Sequence, residues 1–119
     1  MKKIEKMSLN SPSETRTFDN GKFEVVKFGG VNVGRATFQP GWKWSISVKP
    51  LVKTESCQAE HIIYMVSGRM MVVLDNGSEM EFGPNDAGFV PPGHDAWVIG
   101  DEPVVYLDFT AAEYYAKKS

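Results

Sequence analysis

The feature that most constrains this chain is a series of short apolar segments separated by turn-forming residues, running from residue 22 to residue 109. Glycine, proline, asparagine and aspartate lie between the segments, and helical periodicity is almost absent. Short strands at regular spacing with turn signals between them are typical of a β-sandwich or β-barrel. The sequence therefore predicts an all-β fold.

The predicted strands each combine an apolar pattern with a turn signal at one or both ends. They are Lys22 to Phe28, Asn32 to Gln39, Trp42 to Val48, Cys57 to Val66, Arg69 to Leu74, Glu79 to Phe82, Ala87 to Val90, Ala96 to Ile99 and Val104 to Phe109. Ala111 to Lys118 is a possible short C-terminal helix, which would need docking to be stable. The polar residues 1–20 predict an arm, either loosely ordered or a late-formed edge strand, and residues 21–119 predict a single domain.

Composition and charge exclude several classes of function. The 13 lysines and arginines are scattered and are balanced by 15 acidic residues, which argues against a nucleic-acid partner. No apolar run approaches the length of a membrane span, and Ile4 to Arg16 is too polar for a signal peptide. A single cysteine cannot form an internal disulfide. We therefore expect a cytoplasmic protein without membrane or nucleic-acid partners.

Both histidines and the only cysteine lie between residues 55 and 96. Side chains alternate faces along a strand, so Cys57 and His61 are expected on one face, joined by Glu55 if the strand already includes it. His94 follows the rigid turn Pro91-Pro92-Gly93 at the start of a later segment. A closed β fold can bring these side chains together in its interior.

A carboxylate, a thiol and two imidazoles are the donors that bind divalent iron, zinc, manganese, nickel or copper. Glu55, Cys57, His61 and His94 are therefore the candidate metal ligands. His61 and His94 are also candidates for catalytic acid–base roles. Asp95 is either a backbone hydrogen-bond acceptor in the turn or a partner that orients His94. Aromatic and apolar residues provide candidate walls for a small-molecule pocket: Trp44, Tyr64, Met65, Phe89, Trp97 and Tyr106.

Three stretches in order resemble the two motifs of the cupin superfamily. They are Cys57-Gln-Ala-Glu-His61-Ile-Ile-Tyr64-Met-Val-Ser-Gly68, Gly83-Pro-Asn-Asp86 and Phe89-Val-Pro-Pro-Gly93-His94, within a similarity that covers Phe38 to Phe109. The resemblance implies a small jelly-roll barrel. It also implies a dimer, and a metal site that in this family commonly uses three histidines and one glutamate.

The chain departs from that ligand pattern at several positions. Counted back from Gly68, His61 occupies the position of the family glutamate, and Glu55 and Cys57 occupy the positions of the two histidines. The histidine of the second motif would fall at Ala96. Either the turn is shorter and His94 takes the metal-binding role, or that ligand is lost.

These observations leave three functional hypotheses. The first is a cupin with a divalent metal in the barrel that binds a small molecule and catalyses dioxygenation, isomerisation or lyase chemistry. The second is a metal-free module that binds or senses a small molecule. The third is a metal-independent acid–base enzyme that uses His61 or His94. In each case the resemblance implies a homodimer, in which the polar arm of residues 1–20 could pair with a sheet edge of the partner, since an open jelly roll leaves edge strands that need covering.

Overall fold

The backbone forms two antiparallel sheets around one hydrophobic core. A computed structural model describes residues 3–111 and 115–116. The strands are β1 (Glu14–Phe18), β2 (Gly21–Phe28), β3 (Val31–Phe38), β4 (His61–Ser67), β5 (Arg69–Leu74), β6 (Glu79–Phe82), β7 (Ala87–Val90), β8 (His94–Ile99) and β9 (Val104–Asp108). Two short helices, α1 (Trp44–Ser47) and α2 (Lys49–Val52), lie between β3 and β4.

The larger sheet has the strand order β1-β2-β3-β9-β4-β7, and the smaller sheet has the order β6-β5-β8. Alternate residues of each strand point inward, so residues 61, 63 and 65 of β4 are buried whereas residues 62, 64 and 66 are exposed or nearly so. The inward residues of both sheets form one contiguous core. The predicted all-β fold is confirmed.

The predicted strand from Trp42 to Val48 is wrong, because this segment contains α1. Trp42, Trp44, Ile46 and Val48 alternate with polar residues and so imitate a strand. In the structure Trp44 and Val48 are buried, whereas Ile46 is 63% exposed. Burial at positions i and i+4 is the helical pattern, and it places Ser47 rather than Ile46 on the inner face.

Two strand boundaries near the histidines also differ from the prediction. β4 begins at His61, and residues 58–60 are irregular. Cys57 instead forms an isolated antiparallel bridge with His94, which is the first residue of β8. The backbone N–H of Cys57 donates to the carbonyl of His94 at 2.7 Å. This bridge ties the loop before β4 to the smaller sheet.

The arm contacts residues near the C-terminus, since Arg16 donates to the carbonyl of Tyr115. Within the arm, residues 14–18 form β1, which pairs with β2 and lies at the edge of the larger sheet. The helix predicted from Ala111 to Lys118 lies mostly outside the described residues. Of that segment, the N–H of Tyr115 donates to the carbonyl of Ala111 at 2.8 Å.

In the described part of the chain no helix is long and apolar enough to cross a membrane.

Candidate functional site

Cys57, His61 and His94 meet in the interior of the barrel. His61 and His94 begin β4 and β8, and the Cys57–His94 bridge holds the thiol beside them. All three residues are at most 4% exposed, and their ligand atoms lie within 4.8 Å of one another. The fold thus gathers one sulfur and two imidazoles into a single cluster, which we call the Cys-His-His cluster.

Hydrogen bonds to Nδ1 fix the orientation of both imidazole rings. His61 Nδ1 donates to Oδ2 of Asp108 at 2.6 Å, and His94 Nδ1 donates to the carbonyl of Pro91 at 2.7 Å. Nε2 of His61 lies 3.8 Å from Sγ of Cys57. Because Nδ1 is occupied in each ring, Nε2 is the atom left to bind a metal or exchange a proton.

Asp108 is fully buried at the end of β9, and backbone groups satisfy its second oxygen. Oδ1 accepts from the N–H groups of Thr110 and Ala111 at 3.1 and 3.0 Å. The carboxylate is therefore held in place independently of His61. The sequence analysis missed this residue, although the alternation of β9 places Val104, Tyr106 and Asp108 on the inward face.

The cluster shifts the acid–base properties of its members. Burial alone would raise the pKa of Cys57, but hydrogen bonds and charge interactions with His61 and His94 outweigh it and lower this pKa to about 6. Burial alone would lower the pKa of His61, but Asp108 and Cys57 outweigh it and raise this pKa to about 9. Near neutral pH the arrangement therefore favours a thiolate beside an imidazolium.

The donor set fits a transition metal. Thiolate and imidazole bind zinc, copper, nickel and iron, and a histidine held by a buried carboxylate is a common support for a metal ligand. Two donors on one tetrahedral zinc ion lie roughly 3.5 Å apart. The 3.8 Å between Cys57 Sγ and His61 Nε2 is close to that separation.

Glu55 is not part of the cluster. Its side chain is 99% exposed and its carboxylate lies 3.4 Å from Nζ of Lys49. It lies outside the cluster because residues 53–56, between α2 and Cys57, belong to no strand. Asp95 does not orient His94: its Oδ1 accepts from the backbone N–H groups of Ser45 and Ala96 at 3.1 and 2.8 Å.

Members of the cluster line two cavities of different size. His61 and His94 line the first, a chamber of about 20 Å³ that we call the inner chamber. Cys57 lines the second, a more open cavity of about 220 Å³ that we call the outer cleft. Trp44 and Tyr115 line both. The rings of Tyr115 and His61 are 5.2 Å apart, so Tyr115 packs directly on the cluster.

The predicted pocket residues divide into inner and outer positions. Trp44 and Tyr106 line the inner chamber, and Met65 is fully buried in the core. Trp97 is half-buried, with Nζ of Lys43 5.2 Å from its ring centre. Tyr64 is a correction to the prediction, whereas Phe89, although 57% exposed, lines a separate cavity of about 140 Å³ whose described lining residues include no member of the Cys-His-His cluster. Both lie on the outer face of the larger sheet, because strand alternation turns them away from the interior.

Comparisons with known proteins establish the fold. No family model and no curated protein matches the sequence. Among solved structures, a polyketide cyclase from Streptomyces resistomycificus is 19% identical with a TM-score of 0.63, over 91% of this chain and 79% of that one. A protein of unknown function from Rhizobium leguminosarum is 17% identical with a TM-score of 0.61, over 92% and 99% of the two chains.

An oxalate decarboxylase from Lactobacillus farciminis is 22% identical with a TM-score of 0.59 over 82% of this chain. The present chain spans only 30% of that protein's length. These likenesses show that the barrel has the cupin fold, as the sequence motifs predicted. At such low identities they carry no activity over, so function has to be argued from the Cys-His-His cluster itself.

Proposed function

We propose that this cupin-fold chain is a metal-dependent enzyme acting on a small organic molecule, with Cys57, His61 and His94 as its metal ligands. One observation carries the proposal: three buried donors converge within 4.8 Å, and a hydrogen bond on Nδ1 directs each imidazole. A divalent transition metal held there supplies a Lewis acid with a coordination position open to substrate or water.

The chain's own residues have separate roles in this proposal. Cys57 provides a negative charge that offsets the charge of the metal. Asp108 keeps the proton on Nδ1 of His61 and so directs Nε2 toward the ligand position. Trp44 and Tyr106 exclude bulk water from the inner chamber. Dioxygenation, isomerisation and lyase chemistry all suit three protein ligands and one open position.

Metal titration tests the proposal. Untagged protein, stripped with a chelator and titrated with Co²⁺, should bind one ion per chain and develop a thiolate-to-cobalt absorption band. Cys57→Ser should abolish this band, and His61→Gln should lower the affinity at least tenfold. Glu55→Gln is the matched control and should bind as the wild type does, since Glu55 is exposed.

Absence of Co²⁺ binding, together with no metal in the purified protein by elemental analysis, would remove the proposal. So would an equal loss of affinity in the Glu55→Gln control. Binding without the absorption band would instead exclude Cys57 as a ligand.

The metal-free binding module is the second candidate, and the hydrogen bonding within the cluster favours it. Cys57, His61 and Asp108 already contact one another in series without any ion, with Sγ of Cys57 3.8 Å from Nε2 of His61 and Nδ1 of His61 2.6 Å from Oδ2 of Asp108. In that case metal content would be unaffected by His61→Ala, and the small molecule would bind equally well in excess chelator. With a reduced thiol at its centre, the site suits a cytoplasmic location under either candidate.

A further inference from the structure

The size of the inner chamber excludes it as the place where an organic substrate binds. A cavity needs about 10–15 Å³ to hold one water molecule. The inner chamber, at about 20 Å³, therefore has room for a metal ion or a water molecule and little more. A substrate that reaches the Cys-His-His cluster has to occupy other space.

The outer cleft provides that space next to the cluster. Its volume is about 220 Å³, and a cavity of about 150 Å³ is known to hold benzene. Cys57 belongs both to the wall of the outer cleft and to the cluster. Trp44 and Tyr115 line the cleft and the chamber alike, so a molecule in the cleft lies against the proposed ligand set.

The walls of the outer cleft are mostly apolar and aromatic. Val52, Ala59 and the rings of Trp44 and Tyr115 provide flat or apolar contact. Among the described residues that line it, none is an aspartate, glutamate, lysine or arginine. A charged group placed against these described walls would be buried without a partner, which is costly, so the part of the ligand that contacts them should be uncharged.

Two polar side chains of the cleft, Gln58 and Thr54, offer hydrogen-bond acceptors. Gln58 Nε2 donates to the carbonyl and to Oγ of Ser56 at 3.2 and 3.0 Å, which leaves Oε1 of Gln58 as its accessible group. The Thr54 hydroxyl donates to the Ser56 carbonyl at 2.7 Å and can accept a second bond. A matching ligand therefore presents a hydrogen-bond donor to this wall.

We propose that the outer cleft binds the substrate of the proposed enzyme, and that this substrate is an uncharged, hydroxyl-bearing molecule built on a single ring. The ring contacts Trp44 and Tyr115, and its hydroxyl donates to Gln58 or to the sulfur of Cys57. The inference rests on the proposed function for its chemistry, whereas binding in the cleft can be measured without metal.

Three probes of similar size separate the features of the ligand. Phenol is neutral and donates, anisole is neutral and has no donor, and benzoate is an anion. Titrations followed by ligand-observed NMR should show phenol binding roughly 3- to 10-fold more tightly than anisole, the value of one hydrogen bond. In the chelated, metal-free protein benzoate should bind more weakly than either. Binding of benzoate as tight as that of phenol would overturn the proposal.

Two variants place the binding in the cleft. Ala59→Met fills the cleft and should lower phenol affinity at least tenfold, whereas Ala87→Met adds the same side chain at an exposed position of β7 and should change nothing. Gln58→Leu alters an exposed side chain and should remove most of the preference for phenol over anisole. Unchanged phenol binding in Ala59→Met, with native circular dichroism, would contradict the assignment.

Running each titration with chelated and with Co²⁺-loaded protein separates this inference from the metal proposal. If Ala59→Met loses phenol binding and the protein takes up no Co²⁺, the outer cleft is supported as the binding site and the proposed metal centre is excluded. If the protein takes up Co²⁺ and Ala59→Met leaves the phenol affinity unchanged, the metal centre is supported and the outer cleft is excluded as the binding site.

Discussion

His61 connects the reactive sulfur to the buried carboxylate. Its two ring nitrogens face Cys57 at 3.8 Å and Asp108 at 2.6 Å, so any change at one neighbour alters the proton affinity of the other. The pKa of Cys57 falls to about 6 while that of His61 rises to about 9. In effect folding moves a proton from sulfur to nitrogen without changing the number of protons bound.

This transfer gives a prediction for stability against pH in metal-free protein. The pKa of Cys57 is lowered from 9.0, so its stabilisation is present above pH 9 and is lost as pH falls through about 6. The pKa of His61 is raised from 6.5, so its stabilisation is present below pH 6.5 and is lost as pH rises through about 9. Between pH 6.5 and 9 the two effects oppose each other, and the contribution of the pair to the free energy of unfolding should be nearly constant.

Cys57→Ala removes the contribution of the thiol to the pH dependence of the free energy of unfolding. Asp108 is then the remaining group that raises the pKa of His61, so the free energy of unfolding should decrease as pH rises above 6.5, over a narrower range than in the presence of Cys57 and with a slope of up to ~1.4 kcal/mol per pH unit. Urea denaturation of both proteins across this range measures the difference. Parallel profiles for the wild type and the variant would show that folding transfers no proton from the thiol.

At the scale of elements, the tight turn between β4 and β5 depends on Gly68. Its φ is +80°, and an added Cβ would lie 2.7 Å from Cα of Val104 at the start of β9. The turn therefore requires both a left-handed backbone and close approach to a neighbouring strand. It aligns the end of the strand that carries His61 with the strand that carries Asp108.

Gly68→Ala should destabilise the protein by about 2–4 kcal/mol through backbone strain and the clash with β9. Gly77→Ala is a matched control, because Gly77 has a φ of +92° and no atom within 4 Å of the added Cβ. It should cost only the strain, about 1–2 kcal/mol. Thermal or urea unfolding gives both values; equal losses would mean that the contact with Val104 adds nothing.

The strands were predictable where alternation and turn residues agree, as in β2, β5, β6 and β7. The segment of α1 was not, because its period-two pattern matches a strand and only tertiary packing buries Ser47 in place of Ile46. Cys57 and His61 do lie together, but not because they share one strand. The Cys57–His94 bridge brings them together, and a non-local pairing leaves no signal in local sequence.

Other parts of the site show the same limit. The expectation for Glu55 failed because it assumed that the strand continued past Cys57. Asp108 was within reach of sequence reasoning, since a carboxylate at an inward-facing position of β9 needs a buried partner. The inner chamber and the outer cleft could not be predicted from the sequence, because their volumes depend on how Trp44 and Tyr115 pack.

At the scale of the whole molecule, the outer side of β4 and β7 carries an exposed apolar face. It consists of Ile62, Tyr64, Val66 and Phe89, each at least 37% exposed. Ile62 and Phe89 are paired in register, so their side chains lie together on this face. Contiguous apolar surface of this kind is typical of protein–protein contacts. β1 pairs with β2 of its own chain, so this face is the better candidate for the expected homodimer contact.

We expect sedimentation velocity at micromolar concentration to show a dimer that Ile62→Lys converts to a monomer, because a charge in the centre of an apolar interface is costly. Ile46→Lys is the matched control, since Ile46 is also an exposed isoleucine but lies on α1. It should leave the dimer intact. A wild-type monomer, or dissociation by both variants, would exclude this face as the interface.

Tyr115 has a consequence for the order in which the centre is completed. Arg16 of β1 donates to its carbonyl at 2.5 Å, and its ring packs on His61. All three proposed ligands and Asp108 precede Tyr115 in the chain. During synthesis from the N-terminus they emerge from the ribosome before Tyr115, whose ring packs on His61. The chain therefore presents all of its proposed ligands first, and the aromatic ring that packs on His61 is the last of these parts to be added.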